Sequence, residues 1–336
     1  MKRILFLLVF FLVFAGISVP CFSKDYRIEV LQVTDIEPFN QSYRGFISVL
    51  KDNGIVEGQN LTVNRRIIDF DVEKGGLWKK VGVLMRIKKE ASDIVDARPD
   101  LVLTIGTPAT KYAKDKIISA GIPLVFSAVA IPEAAGCKSL TESGPGFTGA
   151  TLYMDMKDIL QIVRLAFPAV KTFGIVHTDD ENAVAQVEEA KAKSASVGMS
   201  VLSKEINKRD SVKPAAEELM DQGAQAFAVP LDTYYGMRNY QACNELDEIC
   251  RVRNVPVISL ALMKVPGAIV YIGSDFGVIG SLSGQHAAKI LNDGVDPGSL
   301  PVLRQDELKI FVDTKQIQAL SIQLPMEILQ LAESVQ

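Results

Sequence analysis

The run Leu101-Val102-Leu103-Thr104-Ile105-Gly106-Thr107-Pro108-Ala109 decides the fold. Its first five residues are apolar or β-branched, as in a strand covered on both faces. A glycine and a hydroxyl follow, and Pro108 stands where the first helical turn can spare an N–H. Strand, tight turn and helix start within nine residues make the opening of a βα unit. The same order recurs on either side. Strands are expected at Arg27 to Val33, Leu61 to Ile68 and Leu124 to Val129, and in a second series at Thr172 to His177, Ser200 to Ile206, Ala226 to Val229 and Pro256 to Ser259. Amphipathic segments of helical period separate them, and Gly198 stops the alanine-rich stretch Asn182 to Val197. Two such series predict an α/β chain with parallel sheets in two similar lobes.

The strongest cluster of chain breakers, Gly144-Pro145-Gly146-Phe147-Thr148-Gly149, reads as the crossing between the lobes. After Ser259 the pattern changes: Val265-Pro266-Gly267 leads to a short apolar run, then a helix from about Val278 to Leu291, then Gly294 to Pro301. That tail is too small for a third domain and reads as the chain returning to the first lobe and crossing again. The expected division is residues 24–148 for lobe 1, completed by about 264–303, and 149–263 for lobe 2, completed by about 304–336.

Composition excludes whole classes of function. The 336 residues hold 36 Lys plus Arg against 40 Asp plus Glu, a net charge of −4, with no single-sign block of the kind a nucleic-acid groove needs. Two histidines, His177 and His286, are too few for a His-rich metal centre or a proton relay. Four cysteines do not make a disulfide scaffold. Cys243 and Cys250 lie seven residues apart in one helical segment, about 10 Å by helical rise, too far to bond to each other, so with Cys137 they are expected to be free thiols.

The N-terminus reads separately. Lys2 and Arg3 precede fourteen apolar residues, Ile4 to Ile17, and the run is broken by Gly16, Ser18 and Pro20. This is the anatomy of a secretory signal peptide over residues 1–23, shorter than the roughly 20 apolar residues of a membrane-spanning helix. Cleavage after Ser23 leaves 313 residues with 34 basic and 40 acidic side chains, a net of −6. The product is a periplasmic or secreted protein. Lipid anchoring through Cys21 is the alternative, which Pro20 just before it disfavours.

In open α/β sheets a ligand sits beyond the carboxyl ends of the strands. The residues there are Thr34-Asp35, Gly106-Thr107-Pro108-Ala109, Ser127-Ala128, His177, Asp232-Thr233-Tyr234 and, opening the helix after His177, Asn182. Gly106 to Ala109 places backbone N–H groups and a hydroxyl at a helix start, which suits a carboxylate; alternatively Thr107 is only a helix cap. Asp232 can hold an ammonium group, or cap a helix in its turn. Tyr234, Tyr235, Phe126, Tyr153 and Phe276 are candidates for aromatic walls or for core. Asp179-Asp180-Glu181 lacks the spacing of a calcium loop and suits a helix N-terminus instead. Nucleophile elbow, phosphate loop and zinc-protease motifs are all missing, so no catalytic residue, no metal ligand and no cofactor is expected.

The stretches Asp100 to Ala109, Ile122 to Phe126 with Pro132, Gly144 to Gly149, Gly54 to Asn60, Val229 to Asp232, Val255 to Ile258 and Ile290 to Gly294 with Leu300-Pro301 come in an order that resembles the substrate-binding proteins of ABC importers of the tryptophan/tyrosine-binding type. The resemblance spans nearly all of the chain past the leader. It implies a type I periplasmic-binding-protein fold, two Rossmann-like lobes joined by three crossover strands, closing like a hinge on an aromatic or other amino acid. By position it puts the ligand carboxylate on Gly106, Thr107 and Ala109, the ammonium on Asp232, and Ser127, Asn182 and Asp275 along the cleft. The segment His177 to Asn182 departs from the usual asparagine-proline-like turn. The implied partners are a small-molecule ligand and separate permease and ATPase subunits, with the receptor a monomer, not an enzyme, and without nucleic acid. A ligand-sensing module for a signalling partner is the alternative reading.

Overall fold

The computed structural model describes residues 24–68 and 77–334; the leader lies outside them. Two sheets organise the chain. The first has the order β11-β5-β4-β3-β1-β2, built from β1 (Tyr26–Val33), β2 (Leu61–Ile68), β3 (Leu101–Ile105), β4 (Leu124–Val129), β5 (Phe147–Thr151) and β11 (Leu303–Arg304). All of its pairs are parallel. The second has the order β13-β12-β10-β9-β8-β6-β7, with β6 (Thr172–His177), β7 (Ser200–Glu205), β8 (Ala226–Val229), β9 (Val257–Ser259), β10 (Ala268–Gly273), β12 (Lys309–Val312) and β13 (Ala332–Ser334). Among its described residues only β10 and β12 pair antiparallel.

The inner strands β3, β4, β8, β9 and β10 are buried along their whole length, which is why they are mainly apolar, whereas the edge strands β2 and β7 are partly exposed and carry charged residues. In lobe 1 one face carries α1 (Glu37–Asp52) and α9 (Phe276–Asp293), the other α2 (Leu77–Ala97) and α3 (Thr107–Ser119). In lobe 2 the helices α4 (Met156–Ala166), α5 (Glu181–Ser194) and α11 (Met326–Leu331) cover one face; α6 (Lys213–Asp221), α7 (Thr233–Gly236) and α8 (Gln241–Arg253) cover the other. The helix α10 (Thr314–Ala319) follows β12.

The α1–α9 crossing is unusually close. A Cβ on Gly280 would stand 1.9 Å from the Ser42 carbonyl oxygen, and one on Gly45 2.1 Å from that of Gly277. Glycine at both crossing points lets the two backbones touch. Asp275 opens α9 by accepting from the N–H groups of Gly277 (2.8 Å) and Val278 (3.2 Å), and Gly294, with φ 66°, ends it.

The crossing between lobes falls later than the breaker cluster suggests. Phe147–Thr151 is a strand of the first sheet, so the chain leaves lobe 1 at residues 152–155; the Gly-Pro-Gly cluster is the turn that feeds β5. Likewise β10 belongs to lobe 2, and the return to lobe 1 comes at Ser274 and Asp275. The third crossing is at 305–308. The second and third crossings are bonded to each other, Asp275 N–H donating to Gln305 Oε1 at 2.9 Å. The first is tied to lobe 2, Tyr153 Oη donating to Glu189 Oε1 at 2.7 Å. Burial and Glu189 push that hydroxyl up to about 12, so it keeps its proton.

Candidate functional site

Three adjacent strands of lobe 1 end in the left-handed region: Thr34 after β1 (φ 67°), Gly106 after β3 (φ 88°) and Ala128 in β4 (φ 55°). Positive φ at a β-branched residue is an outlier, and such strain gathers at ligand sites. At Ala128 the β4–β5 register shifts, so the strand kinks there. At Gly106 the missing Cβ makes room for Phe39, whose ring atom Cζ is 2.9 Å from where that Cβ would be. Phe39, on the first turn of α1, is a rim aromatic that strand-end reasoning missed, because its signal lies in its contact with Gly106.

Gly106 is the N-cap of α3, its own N–H donating to Ser127 O at 2.9 Å. Of the two alternatives for this segment, the one in which Thr107 serves only as a side-chain cap does not hold. Thr107 Oγ1 instead donates across to Asn182 Oδ1 at 2.9 Å and accepts from the Ala130 N–H at 3.3 Å. The helix opening carries the N–H groups of Thr107 and Ala109, Pro108 having none. The Ala109 side chain packs inward, between α3 and its sheet.

The opposite rim belongs to lobe 2. Asp180 caps α5 through the Asn182 N–H at 3.1 Å and accepts from Thr233 Oγ1 at 2.9 Å, with Lys208 Nζ 3.6 Å away. Asp232 caps α7, accepting from Tyr234 N–H at 2.9 Å, and takes the Thr178 N–H at 2.7 Å as well as the Thr178 hydroxyl. Both its oxygens are already engaged within lobe 2. Burial first, and then the neighbouring Asp180 carboxylate, raise its pKa against the pull of Thr178 and Lys208. His177 is buried with Nδ1 2.8 Å from Thr178 O.

Tyr234 and Tyr235 are not cleft walls. They meet edge to face, ring centroids 5.2 Å apart, and donate to Asp210 O and Val176 O in the lobe 2 core. Phe126 is likewise core. Ser127 turns its hydroxyl to Ser42 Oγ, 2.7 Å away and buried. On the far flank a cavity of about 540 Å³ lies between the lobes, where Arg44, Asp275 and Phe276 face Leu262 and Phe311. Thus Phe276 and Asp275 line an interlobe space, and Thr107 and Asn182 meet on the other side of it. There Lys111 Nζ also pairs with Glu181 at 3.0 Å, and Tyr112 Oη donates to the same carboxylate at 3.3 Å. Among the described residues, no group of three or more His, Cys, Asp or Glu is placed to hold a metal ion.

Two mostly parallel sheets, three crossings and opposed strand ends are the architecture of a type I periplasmic-binding-protein structure. The sequence pattern of the family described as "ABC transporter substrate binding protein" matches residues 27–336. The chain belongs to that family. This substrate-binding protein is 25% identical over 307 residues to the tyrosine-binding protein of Clostridioides difficile strain R20291, covering 90% of the present chain and 82% of that one. Among solved structures it is similar to a conserved domain protein from Vibrio cholerae, with a TM-score of 0.77, 24% identity and coverage of 93% and 100% of the two chains. It is also similar to a Streptococcus pneumoniae ABC domain in complex with L-Trp, with a TM-score of 0.73, 22% identity and coverage of 92% and 100%. These structural likenesses establish the fold. No described helix of this substrate-binding protein is long and apolar enough to cross a membrane.

Proposed function

We propose that this chain is the extracytoplasmic receptor of an ABC importer, binding an amino acid, aromatic by analogy with the relatives above, between its lobes and passing it to separate permease and ATPase subunits. The observation that carries the reading is the Thr107–Asn182 hydrogen bond: the opening of a lobe 1 helix meets the opening of a lobe 2 helix beyond the strand ends. Ligand and closure then work together, because groups from both lobes must converge for either. The ligand carboxylate lies at the start of α3, where the N–H groups of Thr107 and Ala109 and the helix dipole favour an anion. The ammonium faces lobe 2, drawn by the field of Asp180 and Asp232. Phe39 offers the apolar face. A receptor of this kind releases its ligand unchanged. The leader, read as a signal peptide, delivers the receptor beyond the inner membrane.

A thermal-shift panel of the twenty amino acids, a sugar and a nucleoside tests the ligand class. A ligand at a thousandfold excess over its Kd adds about 4 kcal/mol of stability, a shift of several degrees. Tyrosine or tryptophan is expected to give it. A shift with the sugar or nucleoside and with no amino acid overturns the proposal.

A further inference from the structure

Behind the loop Thr34-Asp35 runs a chain of hydrogen bonds centred on one cation. Gln32 is fully buried; its Nε2 donates to the Thr34 carbonyl at 2.9 Å, and its Oε1 accepts from Arg65 Nε at 3.0 Å and Nη2 at 2.6 Å. Arg65 Nη2 also donates to Asn40 Oδ1, and Asn40 Nδ2 donates to Asp35 Oδ1 at 3.1 Å. The guanidinium lies 4.6 Å from the centroid of the Tyr43 ring.

The direction of these bonds follows from the arginine. A guanidinium has donors and no acceptor, whereas an amide has one end of each kind. Arg65 therefore forces both amides to turn their oxygens towards it. Both NH₂ groups then face the loop, one on the backbone of Thr34 and one on the side chain of Asp35. Its neighbour Arg66 shows the contrast: on the other face of β2 it pairs with Glu29 at 2.6 Å and Glu90 at 2.9 Å. Arg65 meets no carboxylate among the described residues. An ion pair does not account for its place, and two oriented amides do.

We propose that Arg65 is a positioning residue for ligand binding: through Gln32 and Asn40 it holds Thr34, with its left-handed backbone, and Asp35 in the loop geometry presented to the cleft. The proposal rests on the reading that this rim binds ligand. Arg65→Met keeps the stem against Tyr43 and removes the donors, so both amides become free to turn. Arg65→Lys keeps the charge, but a compact ammonium does not reproduce the planar fork that serves both partners.

The test combines two measurements on the whole mature chain. Calorimetric titration with the strongest ligand from the thermal-shift panel is expected to show at least about tenfold weaker binding for Arg65→Met and an intermediate loss for Arg65→Lys, with the unliganded Tm little changed. Asn40→Ala should weaken binding too, and the double variant should lose no more than Arg65→Met alone, since both break one chain. Hydrogen exchange of the unliganded protein should be faster at the Thr34 and Asp35 amides in Arg65→Met. Unchanged exchange at those amides, wild-type affinity in Arg65→Met, additive losses, or a loss of affinity matched by a fall in unliganded Tm each overturns the proposal. If Arg65→Met does not fold, the same readings on Arg65→Lys decide. A ligand outside the amino acids sinks the ligand class while leaving the clamp to be judged by exchange and by that ligand.

Discussion

Thr107 does three things with one side chain. It crosses to Asn182, it accepts the otherwise unpaired Ala130 N–H, and it opens α3 beside a backbone that Gly106 alone can adopt without strain. Thr107→Val keeps the shape and removes both hydrogen bonds. A hydrogen bond of this kind contributes about 1 kcal/mol, so titration should show roughly fivefold weaker ligand binding, and Thr107→Ser should restore most of it. Affinity unchanged in Thr107→Val would take the residue out of the cleft. The residue level also marks where reading stops. That Thr107 stands at a strand end was legible, because the run Leu101 to Ile105 is apolar and Gly106 follows it. Its partner was not, since Asn182 is 75 residues away and no local pattern links them. Tyr234 misled for a related reason. A tyrosine after a strand fits a wall or a core equally well, and the short turn of α7 rotates it inward to Asp210. Arg65 was hidden differently: on an edge strand a charged residue reads as solvent-facing, and only its neighbours give it a task.

Among the elements, a doubly covered strand writes its own outline: Leu101–Ile105, Leu124–Val129, Thr172–His177 and Ala226–Val229 begin and end where the apolar runs do, while the edge strand Leu61–Ile68, with Asn64, Arg65 and Arg66 in its middle, is legible only from its β-branched ends. The crossing at Gly144 to Gly149 was displaced because breakers mark any turn, whether it stays within a lobe or leaves it. The α1–α9 contact left no mark that a local reading could use, as Gly45 and Gly280 are distant in the chain and each looks like an ordinary helical glycine. It makes a sharp prediction. Gly280→Ala drives a methyl into the Ser42 carbonyl and should cost about 1–3 kcal/mol or more through overpacking, seen as a fall of several degrees in Tm. Gly82→Ala, on α2 with open space around it, should instead stabilise by up to about 1 kcal/mol, since alanine restricts the unfolded chain and favours helix. Equal effects of the two in a melting experiment would mean that the helices can slide apart at little cost.

On the scale of the molecule, the lobes meet at opposite flanks through different means. On the α3–α5 side polar side chains touch directly; on the α1–α9 side a cavity remains between Arg44 and Phe311. The crossings differ as well. One is fastened to α5 by Tyr153, and the other two are fastened to each other through Asp275 and Gln305. In the closure proposed above, a rotation of the lobes that keeps these bonds must be absorbed in the few residues between them.

Helix α9 has a further consequence, for the order in which the chain can fold. It closes one face of the lobe 1 sheet, yet it arrives more than a hundred residues after β5, once five of the seven described strands of lobe 2 have been made. During synthesis the first half of the chain therefore emerges with Phe46 and its apolar neighbours on α1 uncovered on one side. Such late, non-local closure slows folding. A chain ended at Asp275 should accordingly show no cooperative melt for lobe 1 and should be cleaved readily by proteases within α1. The full chain should resist, its first helix protected by nearly its last.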